Sequence, residues 1–465
     1  MSVCTGAANQ GALTQLVATG AQDMFLTRCP SVTFFRSRYN KHTHFSLEVI
    51  EQTFTGQVSY GADLQVTINR TGDLVYSQFV IIDLPGITCC DANACGSNTA
   101  AQSNFPFCSP CDPCGDGPPP DPMCPRIISS MFEDDDVDCE DIDGPYAHYI
   151  NAVGQYLVKR ACVVIGGQVI DTLWSEFLFA WEELTGKCGK RLTEMIGKSN
   201  SRARLVHDSK YDRRLYVPLP FWYTLDSGNA LPLVSMQFHS FCLHICVGDL
   251  RGAIQRSDPD CTVVKTRDCM PVTNNDLNMR IETTFVYLDC EERTKFAGGC
   301  FEQLITQHQM MAVTSKNQSS VTMHVNFNHP VRALIWMARR RCNEICGNWF
   351  NFSGKWGRDP IRSVCLLLNN SNRFSTREGR YFRLVQPYCH WPNIPDSFVY
   401  SYSFALRPSD SEPTGSCNFS RIDNVVFNVD IQPALENEEI TIFLFAINNQ
   451  MVKLSNGTFG AMYSS

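Results

Sequence analysis

The chain has 465 residues, 44% of them apolar and 18% charged, with a formal net charge of −8. That length exceeds one ordinary core, so two or three domains are expected, and the composition excludes a disordered polymer. The negative balance argues against a protein that wraps nucleic acid, because neutralising phosphates needs concentrated Lys and Arg.

The one compact basic run, Arg339-Arg340-Arg341, reads as a solvated strand end or a subunit contact. The strongly apolar runs, such as Val331–Ala338 and Ile440–Ile447, fall short of the ~20 residues that a spanning helix needs. The start lacks a basic end followed by an apolar block, so no secretory signal is expected, and the six Asn-x-Ser/Thr sequons are expected to stay unmodified by a host secretory route.

Along the chain, residues 1–25 are small, polar and nearly uncharged, which predicts an arm ordered only by contact with something else. Strands dominate after that. Leu64, Val66 and Ile68 alternate with polar residues, and Val75–Leu84 reads as a more fully apolar strand. Helices are few. One is expected near Pro145, and a second over Thr172–Leu184, where Trp174, Phe177, Trp181 and Leu184 share a face. Phe241, Leu243, Ile245 and Val247 alternate again. The run Gly248–Asn275 then breaks the strand rhythm, with residues 251–275 read as a linker between two β domains, 26–250 and 276–465. A short helix is expected after Asp289. Val321, Met323, Val325 and Phe327 form one more alternating set. In Phe398–Asn424, Phe398, Tyr400, Tyr402, Phe404 and Leu406 fall on every second position, before a strand carrying Val425, Phe427, Val429 and Ile431 inward. Many short strands between Gly, Pro and Asn turns give an all-β reading, a sandwich or barrel.

Residues 86–145 differ from their surroundings. They hold eight of the 23 cysteines, from Cys89 to Cys139, the run Pro118-Pro119-Pro120, and the acidic tract Glu133–Asp143. So long a connection lies outside ordinary loop lengths. Cys108-x-x-Cys111-x-x-Cys114 could seed a zinc site, the cysteines could staple the loop as disulfides, or they could remain thiols. Cys162, Cys242, Cys246 and Cys365, in apolar strands, are expected to act as small buried hydrophobes.

Candidate chemistry is sparse. His42-x-His44-x-x-x-Glu48 is similar to the metal-binding core of cupins, but Arg36 stands where the preceding glycine belongs and no second motif follows. Cys242-x-His244-x-Cys246 sets three ligand types along one strand face, about 6.5–7 Å apart, too far to converge on one tetrahedral ion. No GxSxG elbow, phosphate-binding glycine loop or HExxH occurs. The aromatic residues Trp174, Trp181, Phe221, Trp222 and Trp391 are expected in cores or subunit contacts. No catalytic, cofactor-binding or metal-ligating residue is therefore assigned.

A family resemblance rests on collinear blocks. Gly20-Ala21-Gln22-Asp23 leads through Thr33-Phe34-Phe35 and Tyr39 to His42-Thr43-His44-Phe45. Mid-chain blocks include Ile165–Asp171, Tyr216-Val217-Pro218-Leu219 and Ala230-Leu231-Pro232-Leu233. Phe327-Asn328-His329-Pro330, Val385-Gln386-Pro387-Tyr388 and the Phe398–Asn424 segment complete the set. Together they closely resemble the major capsid proteins of large icosahedral DNA viruses of the algal-virus, iridovirus and giant-virus kind. The resemblance implies two consecutive eight-stranded antiparallel jelly rolls and a non-enzymatic, cofactor-free structural role. Homotrimeric, pseudo-hexagonal capsomers would tile an icosahedral shell. It further implies that residues 86–145 project outward, and that the arm faces minor capsid proteins and an inner virion membrane. Penton and cement-type proteins are further implied partners, with assembly in the host cytoplasm. A cupin-like enzyme and a carbohydrate- or receptor-binding β protein are the alternatives.

Overall fold

The computed structural model describes residues 10–37, 39–90, 147–186, 189–256, 263–266 and 270–463. Residues 1–44 and 45–465 form two compact units. The first carries helices α1 (Gln10–Val17) and α2 (Ala21–Thr27), and Phe34, Phe35 and Tyr39 stand almost fully exposed. The arm expected over residues 1–25 therefore extends to His44, because the first strand to join a sheet begins at Phe45.

Among the described residues, eight strands, shorter ones aside, lie along the first two sheet paths of the larger unit: β1 Phe45–Thr53, β2 Asp63–Thr67, β3 Leu74–Leu84, β4 Val158–Ile165, β5 Gln168–Trp174, β6 Arg213–Pro218, β7 Phe241–Val247 and β8 Asn278–Leu288. They make two antiparallel sheets, in the orders β1-β8-β3-β6 and β2-β7-β4-β5. Eight more follow: β9 Phe301–Lys316, β10 Ser320–His324, β11 Pro330–Arg340, β12 Ile361–Leu368, β13 Ser371–Asn372, β14 Tyr400–Ser403, β15 Val425–Ile431 and β16 Glu439–Ser455. Their sheets run β9-β16-β11-β14 and β10-β15-β12-β13. Adding eight to each number of the first half yields the second. The chain thus repeats one jelly-roll topology twice, without a sequence repeat to announce it.

This topology corrects the linker and the boundary. Asn278–Leu288 lies between β1 and β3, so residues 276–288 belong to the first roll and not to the second. Within the segment read as a linker, Ile254–Arg256 pairs with Ala147–Tyr149, and Val263–Thr266 pairs with Ile87–Cys90. The low apolar content of 251–275 reflects an end-of-roll connection that braces other connections.

Local expectations fare unevenly for physical reasons. The expected helix over Thr172–Leu184 begins three residues late, as α4 (Ser175–Thr185), with a short α3 (Val153–Leu157) before it. Trp174 instead ends β5, which is held by hairpin pairing to β4 across Gly166-Gly167, both at positive φ. Pro145 lies outside the described residues; the chain just after it is the strand Ala147–Tyr149 and not the expected helix, and α3 starts only at Val153. The helix after Asp289 is present as α5 (Cys290–Gly298), capped by the Asp289 carboxylate on the Cys290 N–H. The insertion falls outside the described residues from 91 to 146. At its near edge Ile87–Cys90 is a strand and Cys89 is disulfide-bonded.

Cores follow the period of two. In β15, Val425, Phe427, Val429 and Ile431 are buried, while the residues between them are half-buried. Trp336 of β11 meets Phe382 and Phe427 edge-on, at 5.2 and 5.0 Å between ring centroids. The expected strand over Phe398–Leu406 is shorter. All four residues of β14 are buried, whereas Leu406, beyond its end, is 70% exposed. Cys162, Cys246 and Cys365 are only half-buried. They lie on the outward faces of their strands beside Thr172, Asp63 and Asn372, which corrects their expected place in a core. Cys242 alone of the four is buried.

Candidate functional site

Strands β11 and β16 are buried on both faces. Leu334, Trp336, Ile442 and Leu444 point into the second roll's own core. Ala333, Ile335, Met337, Phe443, Phe445 and Ile447 point the other way, into a core shared with the first roll. The sheet β9-β16-β11-β14 therefore has two apolar faces, which is why Val331–Ala338 and Ile440–Ile447 read as continuous apolar runs instead of alternating. Those runs were the available sign of this buried face, beyond their shortness for a membrane span.

The surface that covers it comes from β5 and α4. Trp174 and Phe177 pack on Phe445, with centroids 6.1 and 5.7 Å apart, and Phe179 stacks on Phe350 at 4.8 Å. Trp181 meets Trp391 edge-on. Phe221 and Trp222 are fully buried in the same large core. All five aromatics singled out in the sequence thus pack within this core or against it.

Polar pins fix the register of the two rolls. Asp171 accepts the His308 backbone N–H at 2.8 Å and faces its Nδ1 at 3.0 Å, and both side chains are essentially sealed from solvent. Gln307 donates to the Ile170 carbonyl at 2.6 Å. The Asp171 carboxylate thereby also takes up one backbone N–H on the edge of β9 that faces away from β16.

Arg339 donates to Glu176 at 3.0 Å and lies between the rings of Trp349 and Phe443. Arg340 clasps Glu438, and Arg341 pairs with Glu344. The basic run is thus a set of structural ion pairs.

A third pin is buried and ionic. Lys198 Nζ reaches Glu182 at 2.7 Å and Glu183 at 2.5 Å. Glu183 also accepts the N–H groups of Asp396 and Ser397 in the second roll. Burial pushes the Glu183 carboxyl up, but the Lys198 ammonium and the Ser397 N–H outweigh it and hold the group below the usual carboxylate range. Burial likewise opposes the Lys198 charge, and the two carboxylates more than restore it. With aromatic packing, three polar pins and a shared core, the rolls form one block.

The equivalent sheet of the first roll presents a different face. On β1, Phe45, Leu47 and Val49 point away from the core and are 48%, 52% and 55% exposed. A small cluster of Leu74, Ala230 and Val286 covers part of that face, leaving the β1 edge bare. In the second roll the helical segment 381–390, which occupies the place of α4, exposes Val385 and Tyr388. So each half of the buried junction has an uncovered counterpart elsewhere on the chain.

Of the six residues that suggested metal chemistry, four take separate partners, and His44 and His244 are exposed. His42 Nδ1 lies 2.8 Å from the Thr43 carbonyl, and Glu48 accepts a hydrogen bond from the Tyr287 hydroxyl at 2.8 Å. Cys242 lies beside Thr67, His244 is exposed, and Cys246 donates to Asp63. No group of three ligating side chains placed to hold an ion occurs among the described residues.

Comparison with known proteins accords with the duplicated fold. Residues 33–104 and 136–289 match the family model of the major capsid protein N-terminus, and residues 292–460 match that of the large eukaryotic DNA virus major capsid protein. The two models meet where the first roll ends. The major capsid protein of Phaeocystis pouchetii virus is 28% identical, over 98% of this chain and all of its own length. That of Paramecium bursaria Chlorella virus 1 is 26% identical, over 90% of this chain and 87% of its own. Among solved structures, the quasi-atomic model of the PBCV-1 virus capsid aligns with a TM-score of 0.67 at 23% identity, over 93% of this chain and all of that one. The Faustovirus major capsid protein aligns equally well at 12% identity, over 96% of each chain. On the duplicated jelly roll, and on family matches that span both of its halves, the chain belongs to the major capsid proteins of large eukaryotic DNA viruses.

Proposed function

We propose that the chain acts by shape alone, as the subunit of a homotrimeric capsomer whose six rolls give a near-hexagonal outline and tile an icosahedral shell. One observation carries the trimer: the sheet face that is sealed in the second roll is bare at β1 in the first. Inside the chain, the back of β9-β16-β11-β14 is covered by β5 and α4. The pseudo-equivalent contact between chains would lay the 381–390 segment of one copy against the β1 face of the next. Two different patches meeting head to tail form a heterologous interface, which closes into a ring when the rotation allows. Alternating three internal with three external contacts gives six rolls around a threefold axis. An obligate interface of this kind should bury upwards of ~2,000 Å².

Light scattering tests this reading. Wild-type protein should sediment and scatter as a three-chain particle. Leu47→Asp with Val49→Asp should yield folded monomers, and so should Tyr388→Asp. A folded monomer in the wild type at high concentration contradicts the reading.

The remaining expectations follow from this role. The arm suits a conditional contact with minor capsid proteins at the inner side, near a virion membrane. Penton and cement-type proteins would join at other edges, and shells would be assembled in the host cytoplasm. Deleting residues 1–25 should leave trimers intact and impair shell assembly; loss of the trimers would contradict the arm's role. Purified trimers are expected to hold no stoichiometric metal and to turn over no small substrate.

A further inference from the structure

A cavity of about 510 Å³ opens in the second roll between the start of β12 and the connection after β13, and Arg362, Arg377 and Arg380 line it. All three are exposed and, among the described residues, have no ion-pair partner; Arg377 only lies over the Tyr381 ring, 4.6 Å from its centroid. By contrast Arg339, Arg340, Arg341 and Arg383 each hold a carboxylate. Two carboxylates share the cavity, those of Asp359 and Glu378. Asp359 is spoken for: Arg383 grips it with two hydrogen bonds, 2.9 and 3.1 Å, and the Tyr400 hydroxyl donates to it. Three guanidinium groups against the single carboxylate of Glu378 leave a positive surplus, in a chain of net charge −8. The backbone holds these groups together. Arg377 and Glu378 pair with Val364 and Ser363 of β12. Gly379 then lies so close to β12 that a Cβ there would stand 2.5 Å from the Ile361 carbonyl oxygen, so a side chain at this position would push Arg377 and Arg380 off the strand.

The mixture of groups selects the ligand. A guanidinium pairs bidentately with sulfate or phosphate oxygens, so three of them recognise an array of oxyanions. No aromatic ring lines the cavity, which leaves a nucleobase nothing to stack on. Glu378 repels a bare polyanion but accepts hydrogen bonds from hydroxyl groups, and Thr376 and Gln432 add a hydroxyl and an amide. Cations beside a carboxylate acceptor and neutral polar groups match a chain that carries both sulfate esters and hydroxyls. We propose that this cavity binds a sulfated polysaccharide, its sulfate esters on Arg362, Arg377 and Arg380 and its sugar hydroxyls on Glu378. Exposed ion pairs are individually weak, so affinity comes from several esters on one chain and from repetition of the cavity over the trimer. Only that repetition rests on the capsomer reading; the chemistry of the cavity does not.

Titration calorimetry of the full-length chain with a heparin-derived hexasaccharide tests this. Replacing all three arginines (Arg362→Gln, Arg377→Gln, Arg380→Gln) should weaken binding at least about tenfold, while Arg421→Gln, at an exposed arginine outside the cavity, should change it less than about twofold. High salt should weaken the wild type and close the gap to the triple variant. Polyphosphate of matched charge has no hydroxyl for Glu378 and should bind about tenfold more weakly than the hexasaccharide. An equal loss in Arg421→Gln, or none in the triple variant, overturns the site. Polyphosphate or ATP binding as tightly as the hexasaccharide overturns its assignment to a glycan. A second measurement needs no variant: with an arginine-selective dicarbonyl on wild type, followed by peptide mass spectrometry, the hexasaccharide should protect Arg362, Arg377 and Arg380 but not Arg421. Failure to protect the three overturns the proposal even if the triple variant does not fold. Light scattering should find the triple variant in the same assembly state as wild type. A monomeric wild type that binds the hexasaccharide through these arginines supports the site while contradicting the capsomer, so the two readings fail separately.

Discussion

The two jelly rolls share a strand order and differ in what their first sheets touch. In the second roll, β9-β16-β11-β14 lies between two apolar layers, and nearly every residue of β11 is buried. In the first, β1 presents Phe45, Leu47 and Val49 to solvent on the equivalent face. Topology is therefore conserved while surface chemistry differs: one of the two equivalent faces is sealed within the chain and the other is exposed. In the proposed capsomer the exposed face is the one that would meet a second copy.

The largest effects should come from breaking the internal contact. Phe445→Ala removes a fully buried ring that touches both Trp174 and Phe177, and should cost about 3–5 kcal/mol in chemical denaturation. A loss below about 1 kcal/mol would mean that the rolls are not one cooperative block. Lys198→Met leaves Glu182 and Glu183 buried without their cation, again about 3–5 kcal/mol, and should loosen the 393–397 loop in hydrogen exchange before the rest of the roll.

Acid separates the two regions. His148, in the strand beside Ile254–Arg256, is pushed down to about 4, chiefly by burial. The unfolded chain then binds the extra proton first. Stability from keeping this ring neutral is fully present above pH ~6.5 and is lost as pH falls towards 4, about 3 kcal/mol in all. His148→Gln should flatten that part of the pH–stability curve; an unchanged slope would remove His148 as its source. Glu183 behaves differently, since its folded value lies below the ordinary one. Its contribution survives down to the usual carboxylate range and disappears only as pH falls through the folded value. Lys198, held above its ordinary value, contributes until pH rises beyond about 10.5. Hydrogen exchange across pH 7 to 4 should therefore loosen 147–149 while the junction stays closed.

The smallest effect sharpens the contrast most. Leu47→Ala on the bare face should change the stability of isolated chains by no more than about 0.5 kcal/mol, while weakening the trimer. A large loss in isolated chains would show that the β1 face is already covered.

Much of this was legible in the residues. Alternation located β2, β7, β10 and β15, and the collinear blocks gave the family and the duplicated roll. What period-two reasoning missed was the doubly buried sheet: Val331–Ala338 and Ile440–Ile447 carry no alternation because both faces are wanted. The first roll's boundary was also hidden, because Asn278–Leu288 joins β1 and β3 from more than 190 residues away from the latter. Nothing local marks that pairing. Trp174 has helical spacing with Phe177 and Trp181, yet it lies in β5, where hairpin pairing outweighs propensity. The ion pairs of Arg339 and Arg340 were out of reach for the same reason, since Glu176 and Glu438 lie far off in the chain.

The account rests on one contact between copies, and short-range cross-linking addresses it directly. With the exposed thiols Cys29, Cys290, Cys300 and Cys389 replaced by serine, a Val49→Cys, Tyr388→Cys double variant treated with a short bismaleimide should give covalent dimers and trimers on a denaturing gel beyond those of the serine-replaced parent, while each single variant run beside it stays at the parent's level. Cross-linked species confined to dimers, or equal yields from either single variant, would mean that the bare face of β1 meets itself or meets nothing.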